Sequence, residues 1–154
     1  MSVMSVVETF GERLKELMEI DGYNNTMLGS VLGVDRKTVG RWVLNQHMPN
    51  YIALIKLAKH FHVSIDYLLG ETGYTPIIFP MDFDLLQVQS HFSQIICCYL
   101  EKESFSENAF CKILGLEHNS VSKWIKNGGM PEAQTLIKLS RVMGITIDAL
   151  LGIE

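Results

Sequence analysis

The chain has 154 residues, 47% hydrophobic and 19% charged, with a formal net charge of −4. That is apolar material for one ordinary domain or two small ones, and too much for a disordered chain. Apolar runs such as "IICCYL" are too short to span a bilayer, and the start "MSVMSVVETFGERLKE" lacks the basic-then-apolar layout of a secretory signal. Cys97, Cys98 and Cys111 are odd in number and have no second metal-type pair. They are expected to be reduced thiols, packed as small apolar residues in a cytoplasmic protein.

In chain order, Phe10, Leu14, Leu17 and Met18 fall on one face of a first helix, with "SVVE" and "TFGE" both fitting a capping box at its start. Leu28, Val31 and Leu32 mark a short second helix that Gly33 stops. Asp35 is a good N-cap for a third, with Val39 and Trp42 facing inward. Asn50 caps a fourth carrying Ile52, Leu54, Ile55, Leu57 and Ala58. Ser64 caps a short fifth, "IDYLL", closed by Gly70. β-Branched residues are few and never alternate for long, so no strand is expected.

The unit is written twice. At an offset of 82 positions, 18 identities occur between residues 10 and 70 without a gap. Leu32-Gly33 meets Leu114-Gly115, Trp42 meets Trp124, Asn45 meets Asn127, Met48-Pro49 meets Met130-Pro131, and "LIKL" recurs at 136. A tandem duplication of about 60 residues gives two small domains, not a solenoid. The expected division is a first domain over 1–71, a linker over 72–83 and a second domain over 84–154.

"NTMLGSVLGVDRKTVGRWVLNQHMP" resembles the helix-turn-helix of the lambda repressor, Cro and Xre family, and "LIKLAKHFHVSIDYLLG" resembles that family's last two helices. The resemblance covers nearly all of both repeats. It implies an all-α chain of two tandem five-helix domains, a sequence-specific regulator of transcription acting as a repressor, and double-stranded DNA as partner. Gly29 stands where the family has a small residue, and the third helix is expected to enter the major groove. The matching base-facing positions are Arg36, Lys37 and Arg41; Thr38 and Asn25 match phosphate contacts, and His47 lies near the backbone-contact loop. In repeat 2 the counterparts are His118, Asn119 and Lys123 for bases and Ser120 for phosphate, with Lys126 and Lys112 as neighbouring cations. Asp35 and Glu117 replace the usual Ser or Thr cap, and Glu107 replaces the Gln-like phosphate contact, so repeat 2 is expected to be the weaker reader. The competing reading is a protein–protein interaction or dimerisation module on the same fold, acting without DNA.

No cofactor, metal or catalytic centre is expected. There is no Gly-rich phosphate loop and no Ser-His-Asp setting, and His60 and His62 lack ligand partners at metal spacing. Trp42 and Trp124 share a face with Val39 and Val121 and are expected in the core rather than stacked on bases.

The halves differ in one respect. Arg13, Lys15 and Glu16 of the first helix become Ile95, Cys97 and Cys98. Phe83, Leu85, Leu86 and Val88 lengthen that apolar surface. Its expected cover is a second copy of the chain, through Ile95 and Cys98, giving a homodimer; the rival cover is repeat 1 or the linker. The linker holds Pro76 and Pro80, is apolar and extended, and is expected to lie in a groove on one domain. It could reach roughly 40 Å, enough for half-sites about 34 Å apart.

Overall fold

The computed structural model describes residues 9–153; the "SVVE" capping box lies outside them. Thr9 opens the first helix, α1 (Phe10–Asp21). Its Oγ1 accepts the Glu12 N–H at 3.2 Å and donates to Glu12 Oε1 at 3.0 Å, so "TFGE" caps as its pattern predicts. Phe10, Leu14, Leu17 and Met18 are buried, and Gly22 ends the helix at φ 72°. Asn24 caps α2 (Asn25–Leu32) and Gly33, at φ 75°, ends it. Val31 departs from its expected place: it is 52% exposed, leaving Leu28 and Leu32 to face inward.

Asp35 accepts the Lys37 N–H at the start of α3 (Arg36–Val43), Asn50 that of Ala53 at α4 (Tyr51–Phe61), and Ser64 that of Tyr67 at α5 (Ile65–Leu68). Each such cap satisfies a backbone donor that the helix cannot, for about 1 kcal/mol. The second set follows: a 3-10 turn (Leu85–Gln87), α6 (Val88–Glu103), α7 (Glu107–Leu114), α8 (Ser120–Lys126), α9 (Ala133–Met143) and α10 (Ile147–Leu150). Val39, Leu54, Leu57, Ile65 and Leu68 fill one core; Phe92, Ile96, Phe110, Val121, Leu136 and Ile147 fill the other. Trp42 and Trp124 are both core residues, and Phe92 meets Trp124 edge-on at 5.6 Å. His60 packs edge-on against Tyr23 at 4.9 Å. Among the described residues no helix is long and apolar enough to cross a membrane.

The chain divides into two compact units, one ending at Ile78 and one beginning at Phe79. The division falls inside the segment read as a linker. Ser64 N–H donates to Thr75 O at 2.8 Å and Ile77 N–H to His62 O at 3.0 Å, an isolated antiparallel bridge centred on Val63 and Pro76. Pro76 keeps this stretch extended, and extended backbone must find partners for its polar groups. It finds them in the turn between α4 and α5, where His62 is left-handed at φ 56°. Phe79 and Phe83 pack edge-on in the second unit.

The two units solve one problem with different side chains. The Arg13 guanidinium lies 4.4 Å from the Tyr67 ring and donates to the carbonyls of Tyr67 and Thr72, tying α1 to α5. Repeat 2 has Ile95 at that position. There His91, one turn earlier, holds the equivalent carbonyl, its Nε2 lying 3.0 Å from Ala149 O. This bears on the expected interface. Ile95 is half-buried and Cys98 is exposed. Val88 is buried and Leu86 is bare, so the upstream apolar residues do not form one continuous surface.

Gly11 sets the spacing between α1 and α3. A Cβ there would lie 2.3 Å from Val43 O and 2.8 Å from Trp42 O. Asn45, left-handed at φ 59°, closes the contact: its Oδ1 accepts the Gly11 N–H and its Nδ2 donates to Thr9, both at 2.9 Å. Helix propensity alone favours Gly11→Ala by about 1 kcal/mol. Overpacking against backbone costs about 1–3 kcal/mol. The variant is therefore expected to lower the urea midpoint of the full chain; a raised midpoint would mean that α1 slides free of α3.

Candidate nucleic-acid interface

The interface in the first unit begins with a missing side chain. Gly29 is buried in α2, and a Cβ there would sit 2.6 Å from Val34 O and 3.4 Å from Arg36 N. A side chain there would require a small shift, and the second unit closes the same turn around Cys111, Leu116 N–H reaching Cys111 O at 2.9 Å. Val34 N–H then reaches Gly29 O at 2.9 Å, and Gly33 supplies the left-handed residue. With Asp35 capping it, α3 shows Arg36 and Lys37 to solvent in its first turn and Arg41 one turn later.

Asn25, exposed at the first position of α2, borders the same surface. Gly40 lies against it: a Cβ there would make an ordinary contact, 3.5 Å from Asn25 Nδ2. Asn25, Arg36 and Lys37 line an open groove of about 730 Å³, together with Lys15 and Tyr23. Lys15 and Tyr23 were not among the site residues read from sequence; the signal was that a cation of α1 precedes the α1–α2 turn by two helical turns. Thr38, half-buried, and His47, exposed, line a different groove of about 350 Å³ on the other flank of the turn. His47 Nδ1 is 3.2 Å from Met48 O. Arg41 lines neither groove. Lys56 fastens the arrangement from behind, donating to Leu32 O at 3.4 Å; Lys138 does the same to Leu114 O in the second unit. These lysines belong to the repeated "LIKL", and they cap the second helix of each unit.

The second unit departs from its copy at the turn. Cys111 stands where Gly29 does, buried, with its Sγ 3.6 Å from His118 O. The backbone turn itself is kept, Leu116 N–H donating to Cys111 O at 2.9 Å and Gly115 being left-handed at φ 71°. Glu117 makes no side-chain cap, and α8 begins at Ser120, two residues later than the copy. His118 and Asn119, read from sequence as helix residues facing bases, therefore lie in the preceding turn, both exposed. Ser120 is half-buried, and Lys123 and Lys112 are exposed.

Lys126 is not a free cation. Its Nζ lies 3.7 Å from Glu107 Oε2, and Glu107 occupies the position of Asn25. Cys97 stands in place of Lys15, and its thiol is pushed up from the ordinary range, first by burial, then by Cys98, Glu101 and Glu107. A cation of the first unit's groove is thus replaced by a neutral group near two acids. Among the described residues no cluster of His, Cys, Asp or Glu is placed to hold a metal.

Comparison with known proteins gives two matches and one absence. The family model described as Helix-turn-helix matches residues 14–68 and again residues 99–150. The SPbeta prophage-derived uncharacterized HTH-type transcriptional regulator YonR of Bacillus subtilis is 35% identical over 63 residues, 41% of this chain and 58% of that protein. The chain thus spans just over half of that relative's length. No solved structure matches the chain significantly.

The thiols offer a direct check on this geometry. Cys98 is exposed, Cys97 half-buried with a raised pKa, and Cys111 buried. A raised pKa leaves less thiolate at neutral pH, so alkylation should reach Cys98 first and Cys97 later, with Cys97 still accelerating at higher pH. Cys111 should react only on unfolding. Timed iodoacetamide labelling with peptide mapping reads this order.

Proposed function

The chain belongs to the helix-turn-helix family, and from that premise we propose that it is a sequence-specific DNA-binding regulator of transcription, acting as a repressor in the cytoplasm. One observation carries the reading: Arg36, Lys37 and Arg41 are presented to solvent on α3, the first two beside Asn25, in a chain whose formal net charge is −4. Local charge, not the sum, decides where a polyanion docks. Arg36, Lys37 and Arg41 read base edges in the major groove, Arg being able to bond guanine in a bidentate way. Asn25, Thr38 and His47 hold the flanking phosphates, with the α2 N-terminus adding its unpaired N–H groups. The relative's name, a transcriptional regulator, agrees with this.

The first unit is the stronger reader. Its counterpart pairs Lys126 with Glu107 and leaves Lys123, His118, Asn119 and Ser120 as its contacts. That ion pair is the observation that favours a second reading for the second unit alone, as a protein–protein module. We place a homodimer contact on α6: Ile95 is only half covered by its own unit and Cys98 is bare.

Selection of bound duplexes from a random pool at fixed salt tests the function; failure to enrich any sequence would overturn it. Arg36→Ala and Arg41→Ala are each expected to cost about 1–3 kcal/mol and to blur one base position. Lys123→Ala should cost less. Equal losses in the two units would make the halves equivalent readers.

For the dimer, analytical ultracentrifugation should give twice the 17.4 kDa of one chain. Ile95→Lys should return it to one chain with its helical circular dichroism intact. A wild-type protein that sediments as one chain removes the contact.

A further inference from the structure

Each unit carries an asparagine just past its third helix, Asn45 in one and Asn127 in the other, and their surroundings differ. Asn45 is held at both ends of its carboxamide, by the Gly11 N–H and by Thr9 Oγ1. The amide that follows it is also engaged, Gln46 N–H donating to Arg41 O at 2.8 Å. At Asn127 none of these contacts exists. Asn127 and Gly128 are exposed, and among the described residues neither the Asn127 side chain nor the Gly128 N–H has a hydrogen-bond partner. The role of clamp has passed to Gln89, whose Nε2 donates to Trp124 O at 2.8 Å and Gly129 O at 3.3 Å. Asn127 is thus left idle, followed by a residue with no side chain to shield its nitrogen.

We propose that Asn127 is a site of spontaneous covalent modification, deamidating through attack of the Gly128 backbone nitrogen on its side-chain carbonyl carbon. The new N–C bond closes a five-membered succinimide. The side-chain nitrogen leaves as ammonia, taking up the proton that the Gly128 amide loses. Water then cleaves one of the two ring C–N bonds, leaving aspartate or isoaspartate. No oxidant or reductant takes part. Ring closure requires Asn127 to turn from its resting ψ of 11°, and glycine hinders that turn least because it has no Cβ. The product places a carboxylate at the C-terminal end of α8, where helix carbonyls already carry negative partial charge. It stands one residue after Lys126 and four after Lys123 in sequence, so ageing would subtract positive charge from the second unit's candidate surface.

Asn119 is the internal control: it is also exposed, but the following amide, Ser120 N–H, donates to Glu117 O at 3.1 Å. The full chain is incubated at mildly alkaline pH and physiological temperature, then mapped by peptide mass spectrometry, with fresh protein digested in parallel. The earliest exchange of NH2 for OH should fall on Asn127, as a mixture of aspartate and isoaspartate, while Asn45 and Asn119 stay intact over the same interval. Asn127→Gln should remove that earliest product and keep the helical circular dichroism. The proposal is overturned if Asn127 reacts no faster than Asn119, or if the first acidic product persists in Asn127→Gln.

Discussion

The close approach of the α2–α3 turn to Gly29 is the constraint on which the first unit's surface rests. A carbonyl oxygen lies 2.6 Å from where a Cβ would be, so no other residue permits this turn without displacement. The tight turn lets Asp35 cap α3 at once, and the immediate start of α3 puts Arg36 and Lys37 in its first turn. The second unit is the same experiment with a side chain present. Cys111 fills the space, its sulfur meets His118 O, and the helix starts at Ser120. The two units thus differ both at this crossing and in where the third helix starts.

Duplication has preserved the places that need a hydrogen bond more faithfully than the residues that make it. The carbonyl at the end of the fifth helix is held by Arg13 in one unit and by His91 in the other. The turn after the third helix is fastened by Asn45 in one and by Gln89 in the other. Lys56 and Lys138, and the cap pairs Asn24 with Ser106 and Ser64 with Thr146, do the same work from matching positions. Buried or half-buried backbone groups must be satisfied by something, and any donor of suitable reach suffices.

Electrostatic difference follows from the same divergence. Lys15 gives way to Cys97, Asn25 to Glu107, and Arg36 and Lys37 to His118 and Asn119. Each exchange removes a cation or adds an acid along one matching surface. Exposed ion pairs such as Lys126–Glu107 contribute little to stability. The pair still matters for a polyanion, because the lysine's field is partly cancelled where a phosphate would approach.

Much of this was legible in the chain itself. The duplication shows as identities at a fixed offset; the helices, the caps at Asp35, Asn50 and Ser64, and the inward faces of Val39 and Trp42 depend on residues within about one helical turn of each other, and periodicity reports them. The tertiary structure alone decided the late start of α8, the clamp of Asn45, the exchange of Arg13 for His91 and the pairing of Thr75 and Ile77 with the α4–α5 turn. Their partners lie far apart in sequence: 34 residues for Gly11 and Asn45, 58 for His91 and Ala149. Local pattern carries no record of such distances. Which side chain reaches a given carbonyl depends on how closely two backbones pass, and that is settled only when the helices pack.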